Sequence, residues 1–152
     1  MLGMEGDVAE ECRQALIVED DEDIRDLLST LLTVLGFEVR GAGNGLIGLE
    51  TLRTGWRPDL IVLDLMMPVM NGWAFRAEQR KIEGLRDVPV IVLSARRPPY
   101  READSSFEVA EILPKPFDLD NFLAAVSRHC PDTAEMQPSW LGSGAQAVEL
   151  GY

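Results

Sequence analysis

The chain has 152 residues, which is enough for one α/β domain and too few for two domains of ordinary size. Its composition, 46% hydrophobic and 26% charged, is that of a globular protein, and no apolar run approaches the roughly 18 residues that would span a bilayer. A net charge of -12 argues against nucleic acid as a direct partner, because phosphate binding depends on clustered Lys and Arg.

Apolar runs of β-forming residues recur along the chain and predict five strands. The longer runs are continuous rather than alternating, which is typical of strands buried on both faces of a parallel sheet. In chain order the runs are Ala15–Val18, Phe37–Val39, Leu60–Leu63, Val88–Leu93 and Ile112–Leu113.

Helical periodicity lies between the first four strands. Apolar residues three and four positions apart predict a first helix from Ile24 to Leu35, ended by Gly36. A second helix is predicted over Asn44–Thr54, ended by Gly55, and a third from Gly72 to about Ile82. The Gly-containing stretch 41–45 lacks the Lys-Ser/Thr of nucleotide loops, so we interpret it as the loop into the second helix.

The fourth and fifth predicted helices differ in how clearly the sequence indicates them. The range 96–109 should hold the fourth helix, yet it opens Arg-Arg-Pro-Pro and contains Ser105-Ser106, so we expect it to be short, shifted or mobile. The fifth helix starts after the N-cap candidate Asp118 and stops before Pro131. Alternation of strand and helix throughout predicts a doubly wound parallel sheet with helices on both faces.

Composition divides the chain into three parts. Residues 1–12 are acidic without a basic residue and form an N-terminal extension, which we expect to be flexible. Residues 13–130 form the folded domain, and residues 131–152 are a tail that is either disordered or a docking segment. The first residues lack the basic and apolar regions of a secretory signal, so we expect a cytoplasmic protein.

Polar residues follow the strands and predict a site. Glu19-Asp20-Asp21 follows the first strand, Asp64 the third, Ser94 the fourth and Lys115 the fifth. Because sites in open α/β sheets form outside the carboxyl ends of the strands, these side chains should meet. Clustered carboxylates without His or Cys favour Mg²⁺, and an aspartate held beside such a metal and a lysine is a candidate phosphoacceptor.

The order and spacing of four motifs resemble the receiver domain of two-component response regulators, from about Arg13 to Arg128. The motifs are Leu16-Ile-Val-Glu-Asp-Asp-Glu-Asp-Ile-Arg25, Pro58-Asp-Leu-Ile-Val-Leu-Asp-Leu-Met-Met-Pro-Val-Met-Asn-Gly72, Val90-Ile-Val-Leu-Ser-Ala95 and Leu113-Pro-Lys-Pro-Phe117. The resemblance implies a flavodoxin-like sheet with strand order 2-1-3-4-5. It also implies a stand-alone, chemotaxis-regulator-like switch rather than an enzyme, signalling through protein contacts to an unidentified target.

The resemblance also assigns roles to the site residues. Asp64 would accept a phosphoryl group from a histidine kinase or a histidine phosphotransfer protein. Asp20 would bind Mg²⁺ directly, Glu19 would act through water, and Met66 would offer its backbone carbonyl. Ser94 and Lys115 would contact the phosphoryl group.

Backbone expectations follow from the same resemblance. A cis peptide bond is expected before Pro116, where X-Pro tolerates it. The stretch Met67 to Gly72 is expected to form the turn after the nucleophile, with Gly72 relieving backbone strain.

One position departs from the family pattern. Three residues before the lysine, the family usually has Tyr or Phe, which changes rotamer on activation, whereas this chain has Ile112. Together with the unusual range 96–109, Ile112 suggests an atypical output face. Homodimer formation stays open, since the face that members of the family commonly use is this one.

Two alternatives compete with the switch. An aspartyl-nucleophile phosphatase usually has a second acid two residues after the nucleophile, but Met66 occupies that place. A receiver-like scaffold that is never phosphorylated would not need the complete set of site residues.

Overall fold

The computed structural model describes residues 13–95 and 109–131. Five parallel strands form one sheet in the order β2-β1-β3-β4-β5, which confirms the predicted topology. The strands are β1 (Arg13–Val18), β2 (Phe37–Ala42), β3 (Leu60–Asp64), β4 (Val90–Ser94) and β5 (Glu111–Pro114). The described helices are α1 (Glu22–Val34), α2 (Gly45–Arg53), α3 (Gly72–Gln79) and α4 (Leu119–His129).

The sheet has an apolar layer on each face, because side chains of successive strand residues point to opposite faces. On one face, Ile17 of β1 packs with α1 and with Phe122 of α4. On the other face, Val18 of β1 packs with α2 and with Phe75 of α3. Strands β3 and β4 are buried at every position, which explains their continuous apolar sequences.

Side-chain caps start the helices where the sequence places them. Asp21 caps α1 by accepting hydrogen bonds from the amides of Asp23 and Ile24, and Asp118 caps α4 as predicted. Gly36 and Gly55, the predicted helix stops, both have positive φ angles, of 98° and 99°.

Two element ends differ from the prediction by about three residues. Helix α3 ends at Gln79 rather than near Ile82, since turns replace it there. Strand β2 extends to Ala42 because it pairs with β1 along its whole length, a long-range interaction that the short apolar run does not reveal. The fourth helix was predicted within residues 96–109. All of these residues except Val109 lie outside the described part of the chain, so that prediction is not tested.

Membrane-spanning helices are absent from residues 13–95 and 109–131, where no helix combines sufficient length with sufficient apolarity. The N-terminal extension and nearly all of the C-terminal tail lie outside these ranges, so the expectations about them are untested.

The turn between β3 and α3 corrects the expected role of Gly72. The positive φ angle in this turn, 71°, belongs to Val69 and not to Gly72. Gly72 is required for space instead, because a Cβ there would lie 2.7 Å from the carbonyl oxygen of Asp64 and 2.8 Å from the Cα of Leu65. Its amide donates to the carbonyl of Leu65, which closes the turn against the end of β3.

Replacing Gly72 with Ala should therefore destabilise the protein by about 2 kcal/mol, since the added methyl group meets backbone rather than a flexible side chain. Chemical denaturation of the full chain measures this loss. Gly43→Ala is the matched control, because its Cβ would meet only Arg25 Nη1 at 3.6 Å, and it should change stability by less than about 0.5 kcal/mol. Equal effects of the two substitutions would contradict the close-packing role of Gly72.

Candidate functional site

The ends of four strands bring the predicted polar residues to one edge of the sheet. Asp64 is the last residue of β3 and Ser94 the last of β4, and each is buried. Glu19 follows β1, and its amide donates to the carbonyl of Ala42 at the end of β2. Lys115 follows β5, and its amide donates to the carbonyl of Ser94. The parallel register thus places all four side chains at the carboxyl edge, as predicted.

Lys115 contacts two buried carboxylates that lie far from it in the sequence. Its Nζ lies 3.0 Å from Oε1 of Glu19 and 3.5 Å from Oδ1 of Asp64. Glu19 is 1% exposed and Asp64 3% exposed. Because charges so far from water are costly unless they are paired, this ion pair holds β1, β3 and the segment after β5 together at the site.

Backbone groups fix the two carboxylates in place. Oε2 of Glu19 accepts a hydrogen bond from the amide of Asp21, which is also the N-cap of α1. Oδ1 of Asp64 accepts one from the amide of Met66 at 3.2 Å. The predicted use of the Met66 carbonyl as a metal ligand stays a prediction.

Arg25 supports the site from α1, and the sequence analysis did not identify it. Its Nη1 donates to the backbone carbonyl of Glu19 at 2.7 Å. A Cβ at Gly41 would lie 3.2 Å from Cδ of Arg25, so the absent side chain makes room for this arginine. The signal in the sequence was an arginine one turn into a helix and a glycine near the end of β2, and their proximity is visible only once the strands are aligned.

Glu19, Asp20 and Asp64 form a compact oxygen cluster. One carboxylate oxygen from each lies within 4.8 Å of the others, and Asp20 is exposed while the other two are buried. Such a donor set, without His or Cys, fits Mg²⁺, which takes oxygen ligands and keeps several waters. The exposed position of Asp20 leaves the cluster open to solvent on one side.

The electrostatic balance at Asp64 is unfavourable for its ionised form. Burial, and after it the neighbouring Glu19 carboxylate, raise the pKa of Asp64 from 3.8 to about 7. The charge of Lys115 and the amide of Met66 act in the opposite direction but do not cancel this effect. One lysine is therefore insufficient for two buried carboxylates, and an additional cation at the cluster would relieve the imbalance.

Two further predictions concern strand β5 and the segment that follows it. The peptide bond between Lys115 and Pro116 is cis, as expected. Ile112, predicted to occupy the switch position, lies in β5 beside Val92 and is 37% exposed. Its side chain therefore belongs to the surface of the domain and not to the acidic cluster.

The raised pKa of Asp64 makes stability depend on pH. An unfolded chain releases this proton near pH 3.8 and the folded protein near pH 7, so stability without metal falls as pH rises between these values. Asp64→Asn removes the titration and should stabilise the metal-free protein at pH 8 by about 1 kcal/mol or more, with the gain vanishing towards pH 4. Thermal unfolding at both pH values measures it.

The matched control is Asp20→Asn, because Asp20 belongs to the same cluster but is exposed. It should change stability little at either pH. A destabilising effect of Asp64→Asn at pH 8, or an equal gain from Asp20→Asn, would contradict the proposed imbalance.

Comparisons with known proteins agree with this geometry. Residues 15–127 match the family described as "Response regulator receiver domain". Among curated proteins, a transcriptional regulatory protein CpxR homolog of Haemophilus influenzae is 38% identical over 112 residues, covering 73% of this chain and 47% of that protein. The transcriptional regulator RpaA of Synechocystis is 37% identical, covering 73% of this chain and 46% of that protein. The chain thus spans about half the length of these relatives.

Solved structures with the same fold include a chemotaxis protein and a response regulator. The Vibrio cholerae chemotaxis protein CheY4 is 28% identical with a TM-score of 0.71, and the match covers 77% of this chain and 98% of that one. The Thermotoga maritima response regulator TrrA, solved in complex with Mg²⁺ and BeF, is 32% identical with a TM-score of 0.66, at 77% and 98% coverage. Taken with the sheet order and the acidic strand ends, the family match shows that this chain belongs to the receiver domains of two-component response regulators, which are phosphorylation-dependent switches.

Proposed function

We propose that Asp64 is the phosphoacceptor, taking a phosphoryl group from a phosphohistidine of a histidine kinase or histidine phosphotransfer protein. The observation that carries this proposal is the convergence of Glu19, Asp20 and Asp64 with Lys115 at one edge of the sheet. Asp64 ends β3, the middle strand of the sheet, and lies within reach of Lys115 and of both other carboxylates.

The metal in this proposal is Mg²⁺, held by the carboxylates of Asp20 and Asp64 and by the backbone carbonyl of Met66, with Glu19 acting through water. The TrrA structure is a complex with Mg²⁺ and BeF, which supports Mg²⁺ as a ligand of a domain with this fold. Bound Mg²⁺ would offset negative charge on the phosphoryl oxygens. It would also supply the cation that the buried carboxylates need.

The chemical step transfers one group between two proteins. An oxygen of the ionised Asp64 carboxylate bonds to phosphorus while the bond between phosphorus and the donor imidazole nitrogen breaks, and the electron pair leaves with that nitrogen. Since only ionised Asp64 is nucleophilic, the groups that favour ionisation, Lys115 and the amide of Met66, prepare it for this step.

Lys115 and Ser94 would then hold the phosphoryl group. Lys115 already lies 3.5 Å from Oδ1 of Asp64, so its ammonium group can pair with a phosphoryl oxygen attached there. Ser94 is fully buried at the end of β4, whose register pairs Leu93 with Asp64. Its hydroxyl donor would come from the strand next to the phosphoacceptor.

The signal leaves the domain through protein contacts in this proposal. Phosphorylation would shift an equilibrium between two conformations and change a binding surface. The exposed Ile112 offers no aromatic ring for the usual rotamer change, which favours a different output.

The domain would comprise residues 13–130 in a cytoplasmic protein, flanked by the acidic extension and the tail. RpaA is named as a DNA-binding regulator, but the match covers less than half of that protein, so the proposal does not include DNA binding by this chain.

Incubating the full chain with Mg²⁺ and acetyl phosphate tests the proposal. We expect one phosphoryl group per chain by mass spectrometry, none in Asp64→Asn, and labelling slower by about 100-fold in Lys115→Ala, which loses a preorganised charge at the reacting group. Ile112→Ala, three residues before Lys115 and in the preceding strand, is the matched control, and it should be labelled like the unchanged protein.

Different results would identify the alternatives. Undiminished labelling of Asp64→Asn would refute the assigned phosphoacceptor. Continuous release of phosphate from several phosphate esters would indicate a phosphatase. A complete lack of labelling, with Mg²⁺ present and the protein folded, would indicate an unphosphorylated scaffold.

A further inference from the structure

The loop between β1 and α1 carries two of the three carboxylates of the acidic cluster, those of Glu19 and Asp20. Glu19 is buried and paired with Lys115, so contacts of its own fix its side chain. Asp20 is exposed, so packing does little to place its carboxylate. The position of Asp20 therefore depends on the backbone on either side of it.

The peptide groups on both sides of Asp20 are held by hydrogen bonds. The carbonyl of Glu19, in the peptide group before Asp20, accepts a hydrogen bond from Nη1 of Arg25 at 2.7 Å. The amide of Asp21, in the peptide group after Asp20, donates to Oε2 of Glu19 at 3.1 Å. Because each peptide group is planar, one hydrogen bond to each fixes the direction in which the chain enters and leaves Asp20.

Arg25 ties this loop to the start of α1 at two points. Its backbone amide donates to the carbonyl of Asp21 at 2.9 Å, and its side chain reaches back to the carbonyl of Glu19. A hydrogen bond from a charged guanidinium group is stronger than one between neutral groups. A single residue of the helix thus spans the whole stretch 19–21 and restrains Asp20 in its middle.

The end of β2 leaves room for the arginine. A Cβ at Gly41 would lie 3.2 Å from Cδ and 3.4 Å from Cγ of Arg25, which is tighter than an ordinary van der Waals contact. A Cβ at Gly43 would lie 3.6 Å from Nη1, which is an ordinary distance. The side chain of Arg25 therefore passes close to Gly41 on its way to the Glu19 carbonyl, and a side chain at position 41 would displace it.

Charge alone does not account for an arginine at this place. A positive charge near a metal site repels the metal and should weaken its binding. The cation in contact with the two buried carboxylates is Lys115, whereas Arg25 donates to a neutral backbone carbonyl. What Arg25 contributes is order in the loop, and a loop that is ordered beforehand loses less conformational freedom when a ligand binds.

We propose that Arg25 is a positioning residue for the metal: by fixing the carbonyl of Glu19, it holds Asp20 where the Asp20 carboxylate can bind Mg²⁺. This inference rests on the proposed function, in which Asp20 is a direct ligand of the metal. Arg25 acts through the backbone of the loop and contacts neither the metal nor the phosphoryl group.

Titration of the full chain with Mg²⁺, followed by the amide NMR shifts of Asp20 and Asp21, tests this role. Arg25→Met keeps the apolar stem but removes the donor. It should weaken Mg²⁺ binding about tenfold, the loss typical when a group that orients a metal ligand is removed. A purely electrostatic role predicts the opposite sign, since removing a nearby positive charge would strengthen Mg²⁺ binding. Arg25→Lys keeps a donor and should recover part of the affinity.

Three further variants serve as controls. Arg53→Met removes an exposed arginine of α2 and should leave the affinity for Mg²⁺ unchanged. Gly41→Ala retains Arg25 but crowds its side chain, so it should bind Mg²⁺ more weakly than Gly43→Ala does. This glycine pair carries the test if Arg25→Met does not fold. Asp20→Asn removes the proposed ligand itself and should weaken binding most.

An affinity of Arg25→Met equal to or above that of the unchanged protein would overturn the inference. An equal loss in Arg53→Met, or equal affinities of Gly41→Ala and Gly43→Ala, would also overturn it. Each of these results leaves the proposed metal site standing. Failure of the unchanged protein to bind Mg²⁺, or undiminished binding by Asp20→Asn, would overturn the proposed metal site and this inference with it.

Discussion

The contact of one lysine with two buried carboxylates is the constraint on which the site depends. Lys115 reaches Glu19 and Asp64 from a segment that follows the last strand, while the two acids end β1 and β3. These three positions become neighbours only when β1, β3, β4 and β5 are paired in the observed order. The same contact therefore forms only in the correctly folded sheet, and in the proposed function it also holds the carboxylate that reacts.

The balance of charge explains why the domain is suited to a cation and a phosphoryl group. Two carboxylates at 1% and 3% exposure have one ammonium group between them, and burial makes the excess negative charge unfavourable. In the proposed function this imbalance has a use, because Asp64 would lie close to the metal and would also be the group that reacts. At the start of α1, the backbone amide of Asp21 donates a hydrogen bond to the Glu19 carboxylate, and the side chain of Arg25 donates one to the Glu19 backbone carbonyl.

Much of this arrangement was predictable from the sequence, for a simple physical reason. Continuous apolar runs predict strands buried on both faces, and in a parallel sheet the residues that follow such strands meet at one edge. This reasoning placed Glu19, Asp64, Ser94 and Lys115 together without knowledge of any distance. The strand order and the role of each residue came from the resemblance to receiver domains, and the order is confirmed.

The features that were missed depend on three-dimensional proximity. Gly72 was expected to relieve strain, yet it is Val69 that has the positive φ angle, and Gly72 lies too close to Asp64 and Leu65 for any side chain. The hydrogen bonds from Arg76 to Gln79 and from Gln79 to Leu85 join a helix to the turn after it, and an ordinary polar helix face gave no sign of them. Ile112 was noted from the sequence as a departure from the family pattern, but only the structure shows that it is exposed.

The most direct measurement is the titration of the Asp64 carboxyl group by carbon NMR in the metal-free protein, assigned by its loss in Asp64→Asn. A buried carboxylate beside Glu19 should titrate with a pKa of about 7, and Mg²⁺ should lower that value by favouring the ionised form. A pKa near the ordinary value of 3.8 without metal would show that Lys115 alone balances the site, and it would contradict the account.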